Sequence, residues 1–300
     1  MKYNWSIIGH EKQLKQIELD IESGNLAHAY LLAGPNSVGK HTVSRKIAGI
    51  LQCENNFCHK CPTCIQVQQG SHIDTVELKD NKESIKIDDV RKLVERTNMT
   101  GQSKYKIFLV QSVERMGIEA ANSFLKVLEE PPLGTIFILT TNNIRGLLPT
   151  LISRVRVVKF SNVSARYLEE KLKELYPDRE ADTIHQVSLL SLGKTGKAIH
   201  LMENPDSLAD YRKIYSDVQN FLRSKNRVDR FAYVEDIAAE KKRIDIFFNI
   251  LTHVLRSKVL EGDAETSKHI KTLSKIEEAG MFLKKNVNTR LVLENLMLSL

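Results

Sequence analysis

The segment GPNSVGKHT at residues 34–42 constrains the fold more than any other feature of the chain. Gly34, Gly39 and Lys40 fit the pattern G-x-x-x-x-G-K. The short apolar run AYLLAG (29–34) leads into it and a helix-like stretch leads out. Glycines permit a tight loop whose backbone N–H groups point at phosphate. The helix N-terminus favours negative charge, and the lysine reaches the outer phosphates. Gly34, Pro35, Asn36, Ser37, Val38, Gly39, Lys40, His41 and Thr42 are therefore the candidate nucleotide-binding residues, with ATP or ADP as candidate ligands bound weakly or not at all. The bland alternative is a glycine-rich turn that binds nothing.

A phosphate loop of this kind needs a parallel sheet behind it. Three further apolar runs supply strands: KIFLVQSV (106–113), TIFILTTN (135–142) and VRVVKF (155–160). Amphipathic stretches at 87–99 and 117–130 lie between them, and Pro131-Pro132 stops the second sharply. Short apolar strands alternating with helices predict βαβ units. The expected architecture is an α/β nucleotide-binding-type domain over residues 1–163, with a parallel sheet flanked by helices. After residue 163 the strand signal fades. Residues 164–206 read as a small helical lid domain broken at Leu192-Gly193, and residues 207–300 as an all-α domain. The final TRLVLENLMLSL (289–300) is apolar enough to pack on other helices or subunits.

Two positions depart from hydrolytic chemistry. After the loop lysine a hydroxyl normally binds Mg²⁺; here the residue is His41, and Mg²⁺ prefers oxygen ligands. Thr42 is one residue late and turned about 100° away on a helix. The second strand of such sites normally ends in acids, but 106–113 ends in Gln111-Ser112, neither of which ionises. Glu114 lies past the strand end. Little or no ATP hydrolysis by this chain is expected.

All four cysteines fall within CENNFCHKCPTC (53–64). Cys53, Cys58, Cys61 and Cys64 form C-x4-C-x2-C-x2-C, enough thiolates to close a tetrahedral shell around a structural Zn²⁺. His59 lies inside the cluster and is not needed. No coordination position is left open, which argues against a catalytic zinc. Reduced free thiols are the alternative.

Bulk properties fit an ordinary globular chain: 300 residues, 42% hydrophobic, 27% charged. No apolar run reaches the roughly 18 residues needed to span a bilayer, and the first residues lack a signal-peptide core. A cytoplasmic location and no membrane partner are expected. The net charge of +7 admits a polyanion partner as well as a plain solvated surface.

Taken together, these motifs resemble the bacterial clamp-loader family, the AAA+ gamma/tau and delta-prime subunits of DNA polymerase III. The similar stretches are IIGHEKQLKQIELDIESGNLAHAYLLAGP (7–35), the cysteine insert, ANSFLKVLEEPP (121–132) and LLPTLISRVRVVKF (147–160). The resemblance implies that the segment around Ile8 lies by adenine. It also implies that Ser153-Arg154-Val155, where the family reads Ser-Arg-Cys, carries an arginine acting in trans. Arg154, flanked by Ser153, is then the candidate catalytic residue, working on a neighbour's nucleotide. A surface arginine before a strand is the bland reading. Active gamma/tau members have an intact loop, an Asp-Glu pair on the second strand and an arginine in the small helical domain. Here His41, Gln111-Ser112 and Gly196 replace them, which implies the delta-prime kind of subunit. The implied partners are gamma/tau and delta, with the sliding clamp and primer–template DNA reached through the complex, and residues 207–300 forming a collar. An active gamma/tau-like ATPase and a zinc-dependent nucleic-acid-binding module are the competing readings.

Overall fold

The computed structural model describes residues 2–81, 83–223, 226–263, 265–285 and 287–300. The chain divides into two compact units. The first is residues 1–175 with 193–197, and the second is residues 176–192 with 198–300.

In chain order, the first unit holds α1 (Glu11–Glu22), β1 (Ala29–Ala33), α2 (Lys40–Gln52), α3 (Pro62–Gln69), β2 (Thr75–Leu78) and α4 (Ile87–Asn98). It continues with β3 (Lys106–Val110), α5 (Ile118–Glu129), β4 (Thr135–Thr141), α6 (Pro149–Ile152), β5 (Arg156–Lys159) and α7 (Ala165–Leu175). The five strands form one parallel sheet in the order β2-β3-β4-β1-β5. Parallel strands need helical crossovers, and helices then cover both faces. Alternation along β1 shows this directly. Tyr30 and Leu32 join a core with Leu14, Ile17, Val43 and Ile47 from α1 and α2. Ala29 and Leu31 join the opposite core with Val90, Leu93, Phe124 and Leu128 from α4 and α5. β1 and β4 are buried along their whole length. Phe124 meets Phe137 edge-on with centroids 5.3 Å apart, and Phe108 stacks on Phe137 at 5.4 Å.

Four of the five strands coincide with the apolar runs of the sequence. β2 does not: TVEL is short, sits at the sheet edge and carries a carboxylate. An edge strand need not be continuously apolar, so it leaves little trace in hydropathy.

The second unit is helical among its described residues. Its elements are α8 (Ala181–Leu190), the later part of α9 (Thr195–Glu203), α10 (Pro205–Arg223), α11 (Arg227–Ile237), α12 (Lys241–Glu261), α13 (Thr266–Lys284) and α14 (Thr289–Met297). Phe221 meets Tyr233 edge-on and Tyr233 meets Phe247 at a tilt, at centroid spacings of 4.9 and 5.7 Å. Buried Arg230 donates to Phe221 O (2.6 Å) and Met297 O (3.2 Å), satisfying carbonyls at the C-terminal ends of α10 and α14. The apolar C-terminus is only partly absorbed. Val292, Leu293, Leu296 and Met297 are buried, whereas Leu291 and Leu298 remain exposed, as do Met281, Phe282 and Val287 before them. No helix among the described residues is long and apolar enough to cross a membrane.

Candidate nucleotide and metal sites

The loop between β1 and α2 lies at the carboxyl end of the sheet, where ligands of open α/β sheets bind. A cavity of about 270 Å³ opens there, lined by Asn36, Ser37, Gly39, Lys40, His41 and Thr42 of the loop and helix start. Asp80, Gln111, Ser112, Thr140, Thr141 and Asn142 close it from the ends of the other strands, with Gly196 alongside. Of the loop residues read from sequence, Gly34, Pro35 and Val38 are not on the lining. Ile8 is buried and is not on it either.

Lys40 is buried, and its Nζ donates to Gly34 O and Pro35 O, both at 2.6 Å. Burial pulls its pKa down to about 8, and the charge of Glu114 opposes the fall. Gly196 N and Lys197 N both donate to Ser37 O (2.8 and 3.3 Å), and Thr195 Oγ1 donates to Val38 O (3.1 Å). The start of α9 thus sits directly on the phosphate loop. A Cβ on Gly196 would lie 3.0 Å from Ser37 O, so a side chain here would force the two backbones apart.

The two departures from hydrolytic chemistry converge on one residue that the sequence reading missed. Glu77 of β2 is buried, its side chain only 5% exposed. Its Oε1 takes His41 Nε2 at 2.6 Å and Gln111 Nε2 at 2.7 Å, and its Oε2 takes Arg45 at 2.6 Å. Burial pushes the Glu77 carboxyl up. The hydrogen bonds from His41 and Arg45 outweigh burial and hold its pKa at about 2. Nothing local in TVEL signals this, because its partners lie 32 to 36 residues away in the chain. Replacement of Glu77 by glutamine strips the charge from three donors and should cost on the order of 3 kcal/mol at pH 7. The sign can be checked by titration. A depressed carboxyl pKa contributes stability above about pH 4.5, which is lost as pH falls toward 2. Urea unfolding of the variant should therefore show a flatter acid limb than the parent between those pH values. An equally steep limb would put the acid sensitivity elsewhere.

Asp80 is also engaged: Ser112 Oγ donates to one of its oxygens (2.7 Å), and Arg115 meets the other at 3.2 Å. Glu114 accepts from Asn142 N at 3.3 Å.

The cysteine cluster is a metal-binding geometry. All four sulfurs lie within 4.8 Å of one another, with separations of 3.8, 3.8 and 3.9 Å for three of the pairs. Tetrahedral zinc with Zn–S bonds of about 2.3 Å requires S···S edges of about 3.8 Å, so the donor set fits. Pro62 opens α3, and Cys61 Sγ accepts from Cys64 N, which folds Cys61 and Cys64 to the same side. Backbone N–H groups of Lys60 and Cys61 pull Cys58 down to about 6, toward thiolate. His59 turns aside to Gln68 and meets the Phe57 ring at a tilt, with centroids 4.1 Å apart. The Phe57 ring presses on α2 where Gly49 lacks a side chain. A Cβ there would stand 2.3 Å from the ring.

Ser153 and Arg154 lie between α6 and β5. Arg154 donates to Glu129 Oε1 (2.6 Å), Thr150 O (2.9 Å) and Ser153 Oγ (3.3 Å), and its side chain is one-third exposed. None of these partners lines the phosphate cavity.

A phosphate loop on the first strand of a five-stranded parallel sheet, closed by the ends of the neighbouring strands, places the chain in the P-loop class of α/β proteins. Residues 9–164, more than half the chain, match the family described as "DNA polymerase III, delta subunit", and the chain belongs to that family. Among its relatives are DNA polymerase III subunit gamma of Buchnera aphidicola subsp. Acyrthosiphon pisum, 27% identical over 230 residues covering 74% of this chain and 63% of that one. The same subunit of Buchnera aphidicola subsp. Schizaphis graminum is 30% identical over 207 residues, 66% and 57% of the two chains. This chain therefore spans less than two thirds of the length of either relative. A gamma subunit-related DNA polymerase III protein from Thermotoga maritima aligns with a TM-score of 0.48 at 21% identity, covering 94% and 97%.

Proposed function

We propose that the chain is a delta-prime-like clamp-loader subunit. It joins gamma/tau and delta subunits in a complex that places the sliding clamp on primed DNA. In that complex it lends Arg154 to ATP held by a neighbouring gamma/tau subunit and turns over little or no ATP itself.

The observation that carries this reading is the capture of His41 and Gln111 by Glu77. Both side chains point their donors at a protein carboxylate, so neither serves a nucleotide-bound metal. Arg154 supports the second half of the reading. It is one-third exposed and held by residues that do not face the chain's own phosphate loop. Domain roles follow the sequence reading: a nucleotide-binding-type domain over 1–163, a lid over 164–206 and a collar over 207–300. The exposed Met281, Phe282, Leu291 and Leu298 supply apolar surface for neighbouring collar helices.

Reconstitution tests the proposal. The purified chain with Mg²⁺ and ATP should show no turnover above background. Added to gamma/tau and delta with clamp and primed DNA, it should raise DNA-dependent ATP turnover and clamp loading. Turnover by the isolated chain at about 1 s⁻¹ or more, within the ordinary enzymatic range, would instead identify an active ATPase.

A further inference from the structure

The P-loop class implies a magnesium ion beside the bound phosphates, and the residues present do not fit one. Mg²⁺ demands an octahedral shell of oxygens and usually binds through one or two carboxylates. At position 41 the cavity offers an imidazole, and at 111 an amide. Both donate to Glu77 Oε1, and Arg45 occupies the other oxygen of that carboxylate. The carboxylate on the cavity wall itself, Asp80, is taken by Ser112 and Arg115. Glu77 and Asp80 are thus already committed to the protein's own donors, and Glu114, off the cavity lining, gives one oxygen to Asn142 N.

The anion-binding half of the site is intact. Gly39 and Lys40 open α2, a helix of 13 residues, so its first N–H groups face the cavity. Lys40 is buried with its ammonium on two loop carbonyls, which are exchangeable partners, and the charge of Glu114 favours its charged form. The cavity of about 270 Å³ has room for two phosphoryl groups.

We propose that this cavity binds a diphosphate group as the free anion, without a divalent cation. The group is either inorganic pyrophosphate or the diphosphate of a nucleotide such as ADP. The arrangement His41–Glu77–Gln111, closed by Arg45, holds positions 41 and 111, where the metal's ligands would be, with donors already committed to a carboxylate. The inference goes beyond the trans role of Arg154 and is measured on the chain alone, so either can fail while the other stands.

The experiment is calorimetry on the full chain with ADP and with pyrophosphate, each in excess Mg²⁺ and in EDTA. The expected result is binding of equal strength, within about twofold, in both conditions. Lys40→Ala should weaken it by about tenfold or more, as loss of a charge-assisted contact does. Tighter binding of ADP than of pyrophosphate would identify a nucleotide as the ligand, and equal binding would identify the diphosphate alone. The double variant His41→Thr/Gln111→Asp, which rebuilds oxygen ligands, should bind about tenfold more tightly with Mg²⁺ than without. Three results would overturn the proposal. One is wild-type binding about tenfold tighter in Mg²⁺. Another is no binding of either probe in either condition. The third is binding that Lys40→Ala leaves intact, which would place the ligand elsewhere. The wild-type comparison decides the matter even if the double variant fails to fold.

Discussion

If Arg154 acts in trans as proposed, Arg154→Ala in a complex reconstituted with gamma/tau and delta should slow ATP hydrolysis at the neighbouring site by about 10³-fold or more. An arginine reaching a neighbour's γ-phosphate stabilises charge that develops as the phosphoryl group departs. The effect should appear in single-turnover hydrolysis and in clamp loading, while assembly of the complex stays normal. Arg154→Lys should rescue poorly, because an ammonium lacks the planar fork that grips two phosphate oxygens. In the isolated chain Arg154 pairs with Glu129 at the surface. Exposed pairs of this kind contribute no more than about 1 kcal/mol. The alanine variant should therefore melt within a few degrees of the parent, and a kinetic defect cannot be blamed on misfolding. Unchanged hydrolysis in the variant complex would remove Arg154 from the mechanism.

The largest stability effect should come from the cysteine cluster. The purified chain is expected to carry one zinc per molecule by elemental analysis, and Cys58→Ser/Cys61→Ser should abolish it. Apparent binding energies of structural zinc are on the order of 10 kcal/mol. That is comparable to the whole stability of a typical domain. The loss would not stay local. Cys53 and Cys64 are buried members of the core that also holds Ile47, Val67 and Leu109, and Phe57 is wedged against Gly49 of α2. Since α2 begins at Lys40, unfolding of the insert should reach the phosphate loop through that single helix. Thermal melts with and without chelator measure this. A zinc-free preparation with an unchanged melting temperature would show that the thiols do no more than pack.

Local rules made much of this legible. The four apolar runs appear as β1, β3, β4 and β5, and the helices predicted at 87–99 and 117–130 appear as Ile87–Asn98 and Ile118–Glu129. The break at Leu192-Gly193 separates α8 from α9, with both residues at positive φ. The cysteine spacing closes into a compact cluster because four ligands within twelve residues need no long-range partner. What stayed hidden was long-range and polar. Glu77 looks like an ordinary exposed residue of a weak strand, and only the pairing of β2 beside β3 brings it to Gln111. The seat of α9 on Ser37 is equally unreadable, because backbone groups about 160 residues apart make it. Gly196 was singled out for the side chain it lacks, whereas the fold uses its bare backbone.

The Glu77 cluster also bears on how such a chain can change. Restoring a hydroxyl at 41 removes a donor from a buried carboxylate. Restoring an acid at 111 sets a second negative charge against it. Either step alone weakens the fold, and stability is regained only when several positions shift together. A chain built this way meets an uphill mutational path at these positions, much as a ratchet is held by its tooth.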